Sequence, residues 1–505
     1  MIKNRLLSAA VFAAIVLPTT AMATNGMFMM GNGTKANGRA GTGIALADSA
    51  VSGADNPAAM VRVGNRVDFG IQIFQPDRSA TISGNDVSQV PIPATQLTQL
   101  NQGLAAQHLD QLNPGATYAS PITAGGGDTG FTAADMFAIG NGAPQQAGVG
   151  AGIFTQFNYS SDGNNDGPFY IPEGGINFMI NDNMSFGVVV VGTGGMNTSY
   201  DNLSMFGAGL DGSVQETTGI NLEQVRILPT LSYKINDQHS VGVSLQVAYQ
   251  QFKAWGLQRF TSTSPFDGQV SKAPNKLEGK GRDDAWGFGV SLGWQGQLTD
   301  QLTVGVVYNS KINMSDMSDY KGLFADGGDL DIPENYGIGL AFQATDDLLL
   351  AFDIQQINYS DVDSIGNSIQ SGPNNSGSNM FNPNNYLGTG NGSGFGWDDM
   401  TVYKLGAEYQ WNENLTLRAG YSHANQPISK DQTMFNILAP AVIQDHATIG
   451  MTYELPNKSE ISMFYMHAFE EKVNGSNSIS GAFGGGEADI KMSQDAWGIA
   501  YGWNF

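Results

Sequence analysis

Two short motifs contain residue types that could hold a dinucleotide or a zinc ion. Gly31, Gly33 and Ala36 have the G-x-G-x-x-A spacing of a dinucleotide-binding turn, but that turn needs a preceding β-strand and a following helix. Residues 467–471 read His-Ala-Phe-Glu-Glu, which resembles an inverted zinc-protease motif without its second histidine. No strand precedes Gly31 and the five histidines show no other metal spacing, so we expect no metal and no cofactor.

Five aspartates between residues 316 and 331 could bind calcium. Their spacing does not follow an EF-hand loop, so we expect a solvated acidic loop instead. The chain contains no cysteine, which excludes thiol catalysis, disulfides and cysteine-ligated zinc. The aspartates are Asp316, Asp319, Asp326, Asp329 and Asp331.

Charge and composition narrow the class of protein further. The chain has 505 residues and a net charge of −23, so it has no basic stripe to neutralise phosphates and we expect no nucleic-acid partner. Only 14% of its residues are charged, against about 25% in typical soluble proteins. The mean hydropathy is −0.18, and the longest apolar stretch, Leu6–Leu17, is shorter than the ~18 residues of a membrane-spanning helix.

The first 23 residues match a secretory signal peptide. Lys3 and Arg5 give a positive start, Leu6–Leu17 is an apolar core, and Ala21-Met22-Ala23 is a small-x-small cleavage site. We therefore predict export and a mature chain that starts at Thr24. The lack of cysteine suits an oxidising compartment.

Alternation of apolar and polar residues is the main structural signal. In residues 240–250 the odd-numbered positions are apolar, from Val241 to Tyr249, and the even-numbered ones are small or polar. A period of two is typical of a strand with one oily and one polar face. Its regularity predicts an all-β transmembrane barrel with an apolar exterior and a polar lumen. The pattern recurs in residues 286–295, 336–343, 403–411 and 496–505.

Short polar turns and long loops rich in Gly, Asn and Ser alternate along the chain. Six short turns have alternating segments on both sides, so they define twelve strands in hairpins. Unpaired strands at Arg66–Gln75 and Lys491–Phe505 bring the antiparallel barrel to 14 strands, with both termini at the short-turn, periplasmic side. The turns are Asn181–Asn183, Asn236–Gln238, Thr299–Gln301, Thr345–Asp347, Asn412–Asn414 and Pro456–Lys458.

Residues 24–60 do not fit a barrel strand. They are rich in Gly, Ala and Asn and contain a predicted short helix at Ile44–Val51. We interpret them as an N-terminal hatch that folds back and plugs the lumen, with residues 61–505 as the barrel and its long extracellular loops. The loop predicted at Arg78–Gly150 includes a helix-like segment, Thr95–Leu112.

The Gly-rich run at residues 38–43 leads into Asn56, Pro57 and Ala58. This arrangement resembles the hatch of the FadL/TodX family of outer-membrane transporters for long-chain fatty acids and hydrophobic compounds such as toluene. Three later segments are similar to the late strands of that family. They are Trp397–Tyr421, Phe435–Pro440 and His446–Gly450.

The resemblance implies an uptake route rather than a reaction. A hydrophobic compound would be captured among extracellular loops, pass into an apolar pocket and leave sideways through a gap in the barrel wall at a kinked third strand. Here that strand, Met184–Tyr200, contains Gly192, Gly194 and Gly195, and glycines within a strand mark bulges or bends. The family's hatch motif lies against the kink, and a bulky residue at Gly194 is expected to fill the gap and stop uptake. The alternative is that these glycines only begin an extracellular loop.

Apolar residues near the mature N-terminus and in the long loops are candidates for ligand contacts. Met27, Phe28, Met29 and Met30 are suited to an adaptable pocket, unless they are only the flank of the signal peptide. The predicted capture groove among the loops contains Met205, Phe206, Leu323 and Phe324, with Met380, Phe381, Tyr386 and Leu387 as further members.

Three functional classes remain open for a protein of the Gram-negative outer membrane. The leading one is an uptake channel for long-chain fatty acids, aromatic hydrocarbons or similar compounds. A general porin would lack the hatch and carry opposing rows of charge, and an outer-membrane lipase would need a Ser–His pair, which the sequence does not place on one face. We expect contacts with lipopolysaccharide, which divalent cations would bridge to the acidic loop, and with the assembly machinery through the terminal Phe505.

Overall fold

The computed structural model describes residues 24–84, 159–164, 167–201, 206, 217–263, 269–370, 372, 375 and 378–505. The predicted signal peptide, the helix-like segment 95–112 and Met205 lie outside these residues. No helix within the described ranges is long and apolar enough to cross a membrane.

Fourteen long antiparallel strands close into one barrel. Each strand pairs with its neighbour in sequence, and β1 pairs with β14 from Arg66–Asn504 to Ser83–Glu487. The strands are β1 (Arg66–Ser83), β2 (Phe169–Asn181), β3 (Met184–Asp201), β4 (Thr217–Lys234), β5 (His239–Trp255), β6 (Asp283–Gln297), β7 (Leu302–Asn309), β8 (Asn335–Gln343), β9 (Leu348–Ile357), β10 (Met400–Asn412), β11 (Leu415–Ala424), β12 (Asp445–Glu454), β13 (Ser459–Val473) and β14 (Glu487–Asn504).

Side chains alternate between lipid and lumen as the sequence predicts. On β5 Ser244 and Gln246 are fully buried, whereas Leu245 between them is 46% exposed. All six predicted short turns join consecutive strands at one end of the barrel, the short-turn end, and longer connections lie at the other, the long-loop end. The 14-strand antiparallel barrel is therefore confirmed.

Two expectations about strand boundaries are wrong. Arg78, predicted to begin a loop, lies within β1, because β14 begins at Glu487 and the two strands stay paired up to Ser83. Phe435–Pro440 does not belong to a strand. Residues 432–443 are all buried, whereas a barrel strand would expose every second residue to lipid.

The remaining elements are short. Two strand pieces, Tyr159–Asp162 and Asn313–Met314, pair with β1 and β6. The α-helices are α1 (Thr34–Asn37), α2 (Met60–Val63), α3 (Ala325–Gly328), α4 (Asp363–Gly366) and α5 (Thr433–Asn436). The 3-10 turns are Ser52–Ala54, Pro57–Ala59, Gln258–Phe260, Pro274–Lys276, Tyr359–Asp361, Ser378–Phe381, Pro383–Asn385 and Gly481–Phe483.

Candidate functional site

Residues 24–63, here called the N-terminal segment, lie against the inward faces of the strands. Backbone amides of the segment donate to carboxylates on three different strands: Thr34 to Glu173 at 2.8 Å, Gly43 to Asp353 at 2.8 Å and Ala50 to Asp68 at 2.7 Å. Such bonds satisfy amides that would otherwise need a helix or water. The prediction of a helix at Ile44–Val51 is wrong, since those residues form turns and bends. The Ile44 amide donates to Asp353 and the Ala50 amide donates to Asp68.

A buried guanidinium ties the N-terminal segment to the barrel wall. Arg39 forms ion pairs with Asp48 of the segment, at 2.7 Å, and with Glu408 of β10, at 2.6 Å. Arg418 of β11 also pairs with Glu408, at 2.7 Å. We call these four residues the Arg39 clamp. Because Arg39 is almost fully buried, both partners are needed to offset the free-energy cost of burying its charge.

A second set of charges holds the other side of the segment. Lys35 pairs with Glu460 of β13 at 2.6 Å, and Glu460 also pairs with Arg66 of β1 at 2.7 Å. Arg66 in turn pairs with Asp68 at 2.8 Å. The inward charges thus face the segment and one another rather than an open pore.

The Asn-Pro-Ala motif lies against β5 and β6, not against the third strand. The Asn56 side chain donates to the carbonyls of Ile44, at 2.8 Å, and Trp294, at 3.1 Å. Gly242 and Gly293 make this approach possible, because a Cβ atom on either would collide with the Asn-Pro-Ala motif. The expectation that Asn56, Pro57 and Ala58 contact the kink is therefore wrong.

The kink itself contacts the start of the N-terminal segment. The β3–β4 register shifts between Gly192 and Gly194, so Thr193 is the extra residue of a bulge. The Met29 amide donates to the Thr193 carbonyl at 3.2 Å, and the Gly195 amide donates to the Met27 carbonyl at 3.1 Å. A Cβ atom at Gly194 would collide with that Met27 carbonyl.

The barrel wall loses its hydrogen-bonded ladder beside this bulge. Pairing between β2 and β3 ends at Glu173–Val191, although β2 continues to Phe169, where it still pairs with β1. Beyond Val191 the β3 edge faces the N-terminal segment and Asn164 instead. A small cavity lies beside this stretch, lined by Phe74, Pro76, Met196, Ala439 and Met492 among others. We call the unpaired stretch between β2 and β3 the ladder gap.

Residues 27–30, predicted to line a pocket, lie beside the ladder gap, but their side chains belong to two different clusters. Met29 and Met30 pack with Phe74, Phe169 and Phe464 near the ladder gap. Met27 and Phe28 belong to a large apolar cluster at the long-loop end. The N-terminal segment thus joins the gap to the loops.

Tyr359, at the long-loop end, holds the first residues of the N-terminal segment in place. Its hydroxyl accepts from the Met27 amide at 3.0 Å and donates to the Asn25 carbonyl at 2.5 Å, and its ring lies 5.0 Å from that of Trp397. Burial raises the pKa of the Tyr359 phenol, so this hydroxyl remains a donor at physiological pH.

Tyr359→Phe is expected to loosen residues 24–29 without unfolding the barrel. It leaves the buried Met27 amide without its partner, which costs about 1–3 kcal/mol. It also removes one of the two hydrogen bonds at the Asn25 carbonyl, which still accepts from the Phe28 amide. Hydrogen exchange of these amides should accelerate in the variant. Tyr320→Phe is a matched control, because the Tyr320 hydroxyl donates to the Gly281 carbonyl in another loop and accepts from the Ala254 amide of β5. Equal exchange in both variants would contradict the assignment.

The large apolar cluster at the long-loop end consists mainly of loop side chains. Phe206, Leu323 and Phe324 of the predicted capture groove lie in it or against it, and so do Met380, Phe381 and Leu387; Tyr386 is also buried. Sequence reasoning missed several large members, because a loop residue has no periodicity to show its facing. Those loop members include Phe260, Trp397, Phe435 and Phe483. Phe252, also missed, lies on the inward face of β5 near its loop end.

In the described part of the chain, the aspartates of the acidic loop do not form a group of three or more side chains that could bind a metal ion. Asp331 accepts from the Met314 amide at 2.7 Å and pairs with Lys311 at 2.9 Å. Burial and the neighbouring Asp331 raise the pKa of Asp329 to about 7. These aspartates therefore serve loop packing in part, rather than forming only the solvated acidic loop predicted.

The two motifs with apparent nucleotide or zinc chemistry have structural roles. The amide of Thr34, within the G-x-G-x-x-A run, donates to the Glu173 carboxylate, a bond that ties the N-terminal segment to β2. His467 lies 2.9 Å from Asp495 and stacks edge-on against Phe469. Phe505 packs on Phe178 at 5.5 Å, and its role in assembly remains a prediction.

A closed barrel with an oily exterior and an apolar cluster beneath long loops defines an outer-membrane β-barrel. The sequence profile of the family described as "Outer membrane protein transport protein (OMPP1/FadL/TodX)" matches residues 15–505. The chain therefore belongs to this family, which is one of transport proteins, not of enzymes.

Individual relatives are distant. Outer membrane protein P1 of Haemophilus influenzae is 23% identical over 323 residues, which cover 58% of this chain and 65% of the relative. The structure of a Pseudomonas aeruginosa FadL homologue has a TM-score of 0.61 at 17% identity, covering 95% of this chain and all of that one. The Pseudomonas putida toluene transporter TodX has a TM-score of 0.55 at 17% identity, covering 94% and 99%. These structures share the barrel fold.

Proposed function

We propose that this protein is an outer-membrane channel for the uptake of long-chain fatty acids or similar hydrophobic compounds. Solutes are captured in the loop cluster, pass the start of the N-terminal segment and leave sideways through the ladder gap. Residues 24–60 act as the hatch that closes the straight route, and residues 61–505 form the barrel. The toluene transporters among the similar structures support this substrate class.

One observation carries the proposal. Met27 and Phe28 belong to the same buried cluster as loop residues such as Phe206 and Trp397, and the same two residues lie on the bulge of β3. Apolar surface is therefore continuous from the loops to the ladder gap. Contact with such a surface lowers the free energy of a hydrophobic solute, whereas a water-filled pore offers no such stabilisation.

The alternative functions find less support. A general porin needs open lumen charges, whereas Arg39, Glu408 and Glu460 are paired across the N-terminal segment. For a lipase, Ser422 and His446 are inward cross-strand neighbours on β11 and β12. The Ser422 hydroxyl and both ring nitrogens of His446 have no hydrogen-bond partner, so no hydrogen bond joins them as an activated nucleophile requires.

Growth tests in a strain without this protein would examine the proposal. We expect slow growth on oleate, toluene or an alkane as the sole carbon source, and restoration by the wild-type gene. Growth on acetate is the control, because acetate passes through general porins. Normal growth on all hydrophobic sources would contradict the proposal, and a loss of surface adhesion with normal growth would favour a structural role.

A further inference from the structure

The loop between β11 and β12 folds into the barrel beside the ladder gap. Residues 437–443 of this loop, here called the strap, are all buried, and every one of them is apolar. The strap forms no strand, and several of its amides bond within the loop, as from Ala441 to the Ala439 carbonyl and from Val442 to the Pro440 carbonyl. The strap is therefore an insertion into the lumen and not a part of the barrel wall.

Two small side chains of the strap line the cavity beside the ladder gap. Ala439 and Ala441 share this cavity with Phe74 of β1, Met196 of β3 and Met492 of β14. Phe74 belongs to the apolar cluster near the gap, whereas Met196 and Met492 belong to the large cluster at the long-loop end. The two clusters thus meet at this cavity, which lies on the route that the proposed function requires.

The cavity is too narrow for a hydrocarbon chain unless one of its walls moves. Its volume of about 20 Å³ is little more than the ~10–15 Å³ that a single water molecule needs. On one side β1 and β14 are paired along their whole length. The strap is instead held by side chains near its ends. Thr198 of β3 donates to the Leu438 carbonyl at 2.8 Å, and Gln426 of the same loop donates to the Val442 carbonyl at 2.9 Å. The strap is thus the wall that can give way.

We propose that the strap is the selectivity constriction of this channel, and that Ala439 and Ala441 set the width of solute that passes. This inference rests on the proposed function and specifies its substrates as unbranched chains in preference to branched ones. The flexible side chains of Met196 and Met492 adapt to a thin chain. A methyl branch needs a further outward movement of the strap, because close-packed apolar side chains leave few voids larger than a water molecule.

Uptake of two labelled fatty acids by cells would test the inference. Palmitate and phytanate have the same main chain, and phytanate carries methyl branches along it. Wild-type protein should favour palmitate by about tenfold or more, the usual effect of one extra methylene in a tight apolar site. The variant Ala439→Gly/Ala441→Gly removes the two methyl groups that face the cavity and should lower this preference to about twofold. Comparison within one strain that lacks the native protein cancels differences in the later metabolism of the two acids.

Thr198→Val tests the attachment of the strap without a change in its side chains. Loss of the hydroxyl releases the Leu438 carbonyl, so the strap should move more readily and the preference for palmitate should fall. Thr218→Val is the matched control. The Thr218 hydroxyl, on β4, donates to the Gly256 carbonyl at 3.1 Å and not to the strap, so this variant should keep the wild-type preference.

Three results would count against the inference or its basis. An unchanged preference in the assembled glycine variant would overturn the inference, and Thr198→Val decides in the same way if the glycine variant does not assemble. Equal uptake of both acids by the wild type would also overturn it and would leave the proposed function intact. A wild-type protein that restores the uptake of neither acid refutes the proposed function itself.

Discussion

Arg39→Met is expected to release the N-terminal segment and make the barrel leaky to polar solutes. Arg39 is buried between Asp48 and Glu408, and loss of one partner of a buried ion pair costs about 3–5 kcal/mol. Both carboxylates are partly exposed, so we expect the lower end. A cost of about 3 kcal/mol raises the population of released segment more than about a hundredfold. Single-channel recordings in planar bilayers should show larger or more frequent openings than the wild type.

Arg62→Met is the matched control for this change. Arg62 belongs to the same segment, but its guanidinium bonds to the carbonyls of Asp237 and Gln238 at the exposed short-turn end. The conductance of this variant should stay near that of the wild type. A folded Arg39→Met barrel with wild-type conductance would show that the Arg39 clamp does not keep the lumen closed.

The barrel could be predicted from the sequence because its strands meet two different solvents. Lipid outside and polar groups inside impose a period of two on each strand, as at 240–250. Short turns add the hairpin order, and this order fixes the pairing of each strand with the next. The same signal fails where neither face meets lipid. Phe435–Pro440 is buried on all sides, so its composition resembles a strand although its backbone does not form one.

The N-terminal segment could be predicted only as a segment that is not a strand. Its conformation depends on carboxylates more than 100 residues away, such as Glu173 and Asp353, and no local pattern encodes those bonds. The position of the Asn-Pro-Ala motif shows the same limit. Gly242 and Gly293 make room for it, and each looks like any other inward glycine of an alternating strand.

The bulge at Gly192–Gly194 lies in the strand where the resemblance implies a kink, but the resemblance does not identify which glycine faces the ladder gap. The sequence alone predicts that a bulky side chain at Gly194 closes this gap. In the structure a Cβ atom at Gly194 would meet the Met27 carbonyl, whereas one at Gly192 would lie 2.6 Å from the Ile171 side chain of β2. Filling the ladder gap therefore requires a side chain at Gly192, and a side chain at Gly194 displaces the N-terminal segment instead.

Gly192→Val is accordingly expected to block lateral release while the barrel still assembles. The β2–β3 ladder has already ended at Glu173–Val191, so the new side chain breaks no strand pairing between β2 and β3. Its Cβ atom would lie 2.6 Å from the Ile171 side chain, so Ile171 must shift and the two side chains together close the gap. Uptake of labelled oleate or toluene by cells should fall about tenfold or more, since about 1.4 kcal/mol added to the transfer barrier suffices for that factor. The heat-modified migration of the barrel on gels should stay normal.

Gly174→Val tests whether any added valine in β2 or β3 has this effect. Gly174 lies in the paired part of the wall, and a Cβ atom there meets only the Asp68 carbonyl, at 3.6 Å. This variant should transport normally. Gly194→Val should instead accelerate hydrogen exchange at residues 27–29, because the new side chain would collide with the Met27 carbonyl and displace it. Normal uptake by an assembled Gly192→Val barrel would mean that solutes leave by another route, since the ladder gap would then be closed without consequence.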